Sequence, residues 1–209
     1  MSIRITPIAN GPLMVTADNE PFPVLQGHPG GDVRPGGKVF LCRCGESGNK
    51  PYCDGSHGKA GYSSENRCDR DAVRDFAAPG ITVHFNRAIC SGAGRCVRGL
   101  PAVFVSGAED WIRPDQASAA EVIAVVQQCP SGALTYSVDG HLVTGEEGAA
   151  AVRIVKNGPY EIAGPIELDT ATWSAHASHS KFALCRCGRS RNAPFCDYSH
   201  GEQGWTDDG

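Results

Sequence analysis

Apolar and polar positions alternate with a period of two near both ends of the chain, in Ile3-Arg4-Ile5 and in Val152-Arg153-Ile154-Val155. Each run is followed by an Asn-Gly-Pro tripeptide, at Asn10-Gly11-Pro12 and Asn157-Gly158-Pro159. Period two marks a strand with one buried face, and Asn-Gly-Pro forces a turn, so each end predicts a short β unit. The middle has a different texture. Ile81-Thr82-Val83-His84-Phe85 alternates as a strand, while Ser118 and Glu121 have capping-box spacing and open a helix carrying Val122, Val126 and Cys129 on one face until Pro130 stops it. Residues 133–138 and 141–144 flank Asp139-Gly140, the signal of a type I′ hairpin. The expected fold class is therefore α+β, with two β-rich arms around a small α+β domain and boundaries at 1–66, 67–148 and 149–209.

The two ends match in sequence as well as in periodicity. Leu41-Cys42-Arg43-Cys44-Gly45 through Pro51-Tyr52-Cys53-Asp54-Gly55-Ser56-His57 returns as Leu184-Cys185-Arg186-Cys187-Gly188 through Pro194-Phe195-Cys196-Asp197-Tyr198-Ser199-His200. The copies lie 143 residues apart and stay in register as far as Gly61-Tyr62 against Gly204-Trp205, which makes this an internal repeat.

Composition narrows the chemistry. With 41% hydrophobic and 20% charged residues the chain is ordinary for a soluble protein, and its 26 Gly and 14 Pro call for many turns and small cores. A formal charge of −4 offers no basic excess, so nucleic acid is not an expected partner. The longest aliphatic run, Val122 to Val126, is far short of a membrane span, so no membrane partner is expected either. Ten cysteines, with no apolar leader in residues 1–10, point to a reducing, cytoplasmic setting in which thiols bind metals or do redox work.

In each repeat the donors run Cys-x-Cys, eight residues, Cys, three residues, His: Cys42, Cys44, Cys53 and His57, then Cys185, Cys187, Cys196 and His200. Three thiolates and one imidazole suit either a single tetrahedral Zn²⁺ or a two-iron cluster whose irons take two protein ligands each. Zinc loops usually space paired cysteines by two to four residues, whereas Cys-x-Cys suits two thiolates on one iron. The residues between the donors resemble the CDGSH (NEET) iron–sulfur family almost position by position. That resemblance implies a [2Fe–2S] cluster at each site, held by the three cysteines and the histidine beside a β-rich cap. The second copy carries Tyr198 where the family has glycine, a position at which a positive φ would be costly for tyrosine. Arg43 and Arg186, lying between ligand cysteines, are expected to favour the reduced state by Coulomb attraction.

The middle segment is similar to half of a ferredoxin. Cys90 and Cys96 bracket Ala93, which stands where the second cysteine of a Cys-x-x-Cys-x-x-Cys loop belongs, and Cys129-Pro130 supplies the distant cysteine. With residues 97–104 and Trp111 it resembles the divergent single-cluster 4Fe–4S ferredoxin-like domain that accompanies CDGSH motifs. Three protein ligands fit a [3Fe–4S] cluster directly; a [4Fe–4S] cluster would need Cys68, His84 or an exogenous ligand. The three sites use nine cysteines and leave Cys68 as a bystander. His28, His141, His176 and His179 lack a cysteine context, and His84 alternates along its strand as a structural residue. Ser131 and Gly92-Ala93-Gly94 have neither triad nor phosphate-loop spacing.

The expected function is one-electron transfer by an intracellular multi-cluster protein with no catalytic constellation. Its partner would be a redox protein, and tandem copies would pair within one chain as a pseudo-twofold monomer. The alternative is a cluster carrier serving an apo iron–sulfur acceptor, or a redox or pH sensor.

Overall fold

A computed structural model describes residues 3–17, 25–26, 37–145, 148–170 and 172–207. The first repeat contributes β1 (Ile3–Pro7), β2 (Leu13–Ala17), β3 (Leu25–Gln26), β4 (Lys38–Leu41) and the single-turn helix α1 (Ser56–Lys59). The middle holds β5 (Val73–Ala78), β6 (Ile81–Asn86), α2 (Arg95–Gly99), α3 (Ala119–Val126), β7 (Leu134–Val138) and β8 (His141–Val143). The second repeat follows with β9 (Ala151–Ile154), β10 (Tyr160–Ala163), β11 (Ile166–Leu168), β12 (Lys181–Leu184) and α4 (Ser199–Glu202). The class is mixed, with sheets predominating and few helices, and among the described residues no helix is long and apolar enough to cross a membrane.

Three four-stranded sheets result, ordered β11-β1-β2-β4, β12-β10-β9-β3 and β5-β6-β7-β8. In the two outer sheets the hairpins turn where Asn10 and Asn157 take φ of 50° and 53°, as Asn-Gly-Pro requires. Each outer sheet is completed by a strand from the other repeat. β1 pairs in parallel with β11, Ile5 opposite Leu168, and β9 pairs in parallel with β3, Val152 opposite Leu25. The alternation seen in the sequence is the reason these sheets can pack. Ile5, Leu13, Val15, Val152, Tyr160, Ile162 and Leu184 point inward and merge with Val83, Phe104, Ile112, Val122 and Val126 of the middle into one core.

Within the middle, Ser118 Oγ accepts from the Glu121 amide and the Glu121 carboxylate accepts from the Ser118 amide, so the capping box forms. α3 ends at Val126, earlier than Pro130 demands, and the Cys129 amide instead donates to the Val126 carbonyl in a tighter turn. Asp139 and Gly140, both at positive φ, close the β7–β8 hairpin. β5 carries an Arg-Asp pair that breaks its alternation, and it was invisible to the periodic pattern.

Candidate metal centres

The cysteine segments leave β4 and β12 directly, and backbone hydrogen bonds tie their two limbs together. The Cys42 amide donates to the Pro51 carbonyl at 2.8 Å and the Cys53 amide to the Phe40 carbonyl at 2.8 Å. In the second copy Cys185 reaches Pro194 and Cys196 reaches Ala183, each at 2.9 Å. So held, Cys42 Sγ and Cys44 Sγ lie 3.6 Å apart, and the first turn of α1 brings His57 Nδ1 to 3.4 Å from Cys53 Sγ. The second copy repeats this at 3.7 Å and 3.4 Å. Neither Asp54 nor Asp197 is the N-cap of the short helix that follows it. The N-caps are Gly55 and Tyr198, both left-handed, and each Asp instead accepts from the Ser amide two residues on, bending the chain one residue earlier.

The donors therefore come as pairs. Among the described residues no three Cys, His, Asp or Glu side chains converge closely enough for a single metal ion. A thiol–thiol pair and a thiol–imidazole pair at each loop fit a group that takes two ligands at each of two metal positions.

Charge distribution inside each thiol pair has a plain cause. The Cys42 thiol is lowered to about 5 by the hydrogen bond from Cys44, against the opposing effect of burial, while Cys44 is raised because it is the donor and is buried. Cys185 is lowered to about 7 in the same way and Cys187 raised. Burial holds the Cys196 thiol well above its ordinary value and holds His200 below its own. Such a nest ionises fully only when a cation takes the place of the protons.

Arg43 and Arg186 are buried, and the structure assigns their guanidinium groups to the hairpin turns. Arg43 donates to the carbonyls of Gly11 at 2.7 Å and Ile8 at 2.5 Å. Arg186 donates to Val155 at 2.8 Å, pairs with Asp207 at 2.8 Å and sits over the rings of Tyr160 and Trp205. Both arginines lock the repeat's turn to its cysteine loop.

The two copies differ in cover. Cys53 is half-buried and Asp54 and Gly55 are exposed, whereas Cys196, Asp197 and Ser199 are buried. The cover comes from the middle of the chain: Arg87 donates to the Asp197 carbonyl at 2.8 Å and pairs with Glu202 at 2.8 Å, and Asn192 donates to the Ala88 carbonyl at 3.1 Å. None of these contacts had a local signal in the sequence, because a surface arginine before a short turn looks like any other.

Cys90 follows a 3₁₀ turn at Arg87–Ile89, Cys96 lies on α2, and Cys129 follows α3. All three line one small cavity with Phe85, Ala93, Trp111 and Leu134. Gly92, Gly94 and Gly132 all take positive φ around it, and a Cβ on Gly132 would lie 2.8 Å from the Lys181 carbonyl. Burial pushes the Cys90 thiol up to about 11 and raises Cys96. Three soft donors lining one apolar-walled cavity fit an iron–sulfur cluster. Neither Cys68 nor His84 lines that cavity. His84 is engaged at both nitrogens, by Asp75 and Ser137, each at 2.7 Å. Ser131 Oγ lies 3.7 Å from Cys129 Sγ. His176 packs edge-on against His84, His179 stacks on Trp173 at 4.0 Å, His141 is exposed, and His28 lies outside the described residues.

Comparison with known proteins bears on both kinds of site. The family model described as iron-binding zinc finger, CDGSH type, matches residues 10–58 and again 157–201. The model described as divergent 4Fe-4S mono-cluster matches residues 76–139. "Uncharacterized protein YjdI" of Escherichia coli, from strain K12 and from O157:H7 alike, is 44% identical over 63 residues, which covers 30% of this chain and 83% of that protein. No solved structure matches.

Proposed function

The chain belongs to the CDGSH-type iron-binding family, with a divergent 4Fe–4S mono-cluster domain between its two copies, and we propose on that footing that it passes single electrons through three iron–sulfur centres. Each outer site would hold a [2Fe–2S] cluster, on Cys42, Cys44, Cys53 and His57 and on Cys185, Cys187, Cys196 and His200. The central site would hold a [3Fe–4S] or [4Fe–4S] cluster on Cys90, Cys96 and Cys129. The observation that carries this reading is the pairing of donors, at 3.6 and 3.4 Å in one copy and 3.7 and 3.4 Å in the other. A single zinc ion would draw all four donors of a loop together.

The bound clusters would supply one-electron redox chemistry, and the chain's own residues supply the setting. Buried Cys42, Cys44, Cys185 and Cys187 keep water from the inner edge of each site, and Arg43 and Arg186 fix the loops against the hairpins. This reading uses no nucleophile, general base or substrate cavity, so substrate turnover is no part of it. The exchange of β11 and β3 between the sheets supports a monomer in which the two repeats pair within one chain; its setting would be the cytoplasm and its partner a separate redox protein. The test is anaerobic EPR with iron and sulfide analysis on the full chain. About seven or eight irons with matching sulfide are expected from the ligand sets; zinc, or iron without sulfide, would reject it.

One observation favours a second reading. Exposed Asp54 and Gly55 beside half-buried Cys53 and His57 leave the first site open, as a cluster carrier needs. Incubation with an apo-ferredoxin separates the two: joint transfer of iron and sulfide supports the carrier, and fast reduction with clusters retained supports conduction.

A further inference from the structure

Tyr198 occupies the place that Gly55 has in the first copy, and both backbones are left-handed, at φ of 76° and 89°. For a residue with a Cβ that conformation is strained, so a tyrosine stays there only if its side chain gains more than it loses. The ring shows where the gain lies. A Cβ placed on Gly92, in the central cysteine loop, would fall 2.0 Å from the ring's Cδ2, and one on Gly201, in α4, would fall 2.3 Å from Cε2. The ring is thus packed between two glycine backbones, one from each site, and stands edge-on to the imidazole of His200 with centroids 5.4 Å apart. Gly55 has nothing opposite it among the described residues: a Cβ there would meet none of their atoms within 4 Å. The Arg87 contacts to the Asp197 carbonyl and Glu202 fasten the same junction from its other side.

We infer that Tyr198 makes the two outer sites unequal in kind, closing the second over His200 and joining it to the central cysteine loop, while the first remains the site that exchanges with an outside partner. This rests on the iron–sulfur reading above and extends it: the second and central sites form an internal pair, and an acceptor or redox protein meets the chain at the first. Tyr198 acts as a positioning residue, since it covers a ligand rather than serving as one.

The test follows iron release from anaerobically reconstituted full-length protein into excess bathophenanthroline disulfonate, with His57→Ala and His200→Ala assigning the phases. The first site should lose iron at least about tenfold faster than the second, a ratio equivalent to about 1.4 kcal/mol of protection. Tyr198→Gly and Tyr198→Asn both accept a positive φ without the ring, and each should bring second-site release to within about threefold of the first while leaving the first unchanged. Tyr198→Phe keeps the ring and should behave as the parent. Equal rates in the parent protein, or an unmoved second-site rate in both ring-less variants, would overturn the inference, as would equal acceleration at both sites, which signals general loosening. A chain that takes up no iron and sulfide would instead overturn the iron–sulfur reading before any rate is measured.

Discussion

The Tyr160 hydroxyl, in the second repeat, donates to the Cys42 carbonyl of the first at 2.7 Å and also lies 3.1 Å from the Pro51 carbonyl, with the whole side chain buried. One phenol thus closes both limbs of a cysteine loop that belongs to the other copy. Tyr160→Phe preserves the packing and strands the Cys42 carbonyl, while the Pro51 carbonyl keeps the Cys42 amide as donor; the change should cost about 1–3 kcal/mol in denaturant unfolding. The loss should be felt at the first outer site more than at the second, seen as faster bleaching of the His57-dependent chromophore. Unchanged stability and unchanged bleaching would mean that water replaces the hydroxyl without cost.

Arg43 and Arg186 make equivalent bonds to their turns, but among the described residues only Arg186 adds an ion pair, with Asp207. Arg186→Gln should therefore destabilise more than Arg43→Gln, which strands the Gly11 carbonyl at about 1–3 kcal/mol while the carbonyl of exposed Ile8 keeps the Gly11 amide. Burial would raise the Asp207 carboxyl, yet the hydrogen bond and charge of Arg186 outweigh it and hold the group below the usual carboxylate range. A carboxylate with a depressed folded pKa adds stability that is complete above its unfolded value, about 3.9, and lost as pH falls through the folded one. The gap between parent and Arg186→Gln should accordingly narrow in acid. Urea midpoints at neutral and acid pH would show it, and a gap independent of pH would free Asp207 from this role.

Much of this architecture could be read from residues alone, and the parts that could not share a physical reason. The hairpin turns, the Ser118 cap and the Asp139-Gly140 turn are encoded within four residues each, so their signals are local. The cysteine and histidine spacing is local too, and the structure places the expected donors side by side in pairs. β3 and β11 are two and three residues long, too short to show a period, and their partners come from the far end of the chain. Whether Asp54 caps α1 or makes an Asx turn before it is not legible in the sequence, because the two differ by one residue of backbone that only φ at Gly55 reveals. The cover over the second site depends on Arg87 meeting Asp197 across 110 positions, which no local pattern records.

Ala93 lines the same cavity as Cys90, Cys96 and Cys129, so a thiol at that position would reach the space the three cysteines share. Ala93→Cys should convert a three-iron centre, or a four-iron centre with one labile iron, into a stable four-iron one. The parent protein, oxidised with ferricyanide, should show the EPR signal of an oxidised three-iron cluster, and the variant should lose it while gaining about one iron per chain. An identical spectrum in both proteins would show that the loop does not present residue 93 to the centre.

The exchanged strands make a prediction about fragments. β1 lies between β2 and β11, where Ile3 faces Ile166, Ile5 faces Leu168, the Asp169 amide donates to the Ile5 carbonyl at 2.9 Å, and Arg4 pairs with Glu167 at 2.7 Å. Cutting away residues 149–209 removes β11 and turns β1 into a bare edge, while β3 loses β9, the strand it pairs with. A first repeat alone can recover both pairings only from a second copy of itself, whose β3 would take the place of β11 and whose β1 would take the place of β9. Residues 1–66 produced alone should therefore either form a homodimer or fail to fold, and should hold their cluster only in the dimer. Size-exclusion chromatography with light scattering, read together with cluster absorbance, decides the matter. A folded, cluster-bearing monomer of that fragment would show that the inter-repeat pairing is dispensable and that each copy is an independent unit.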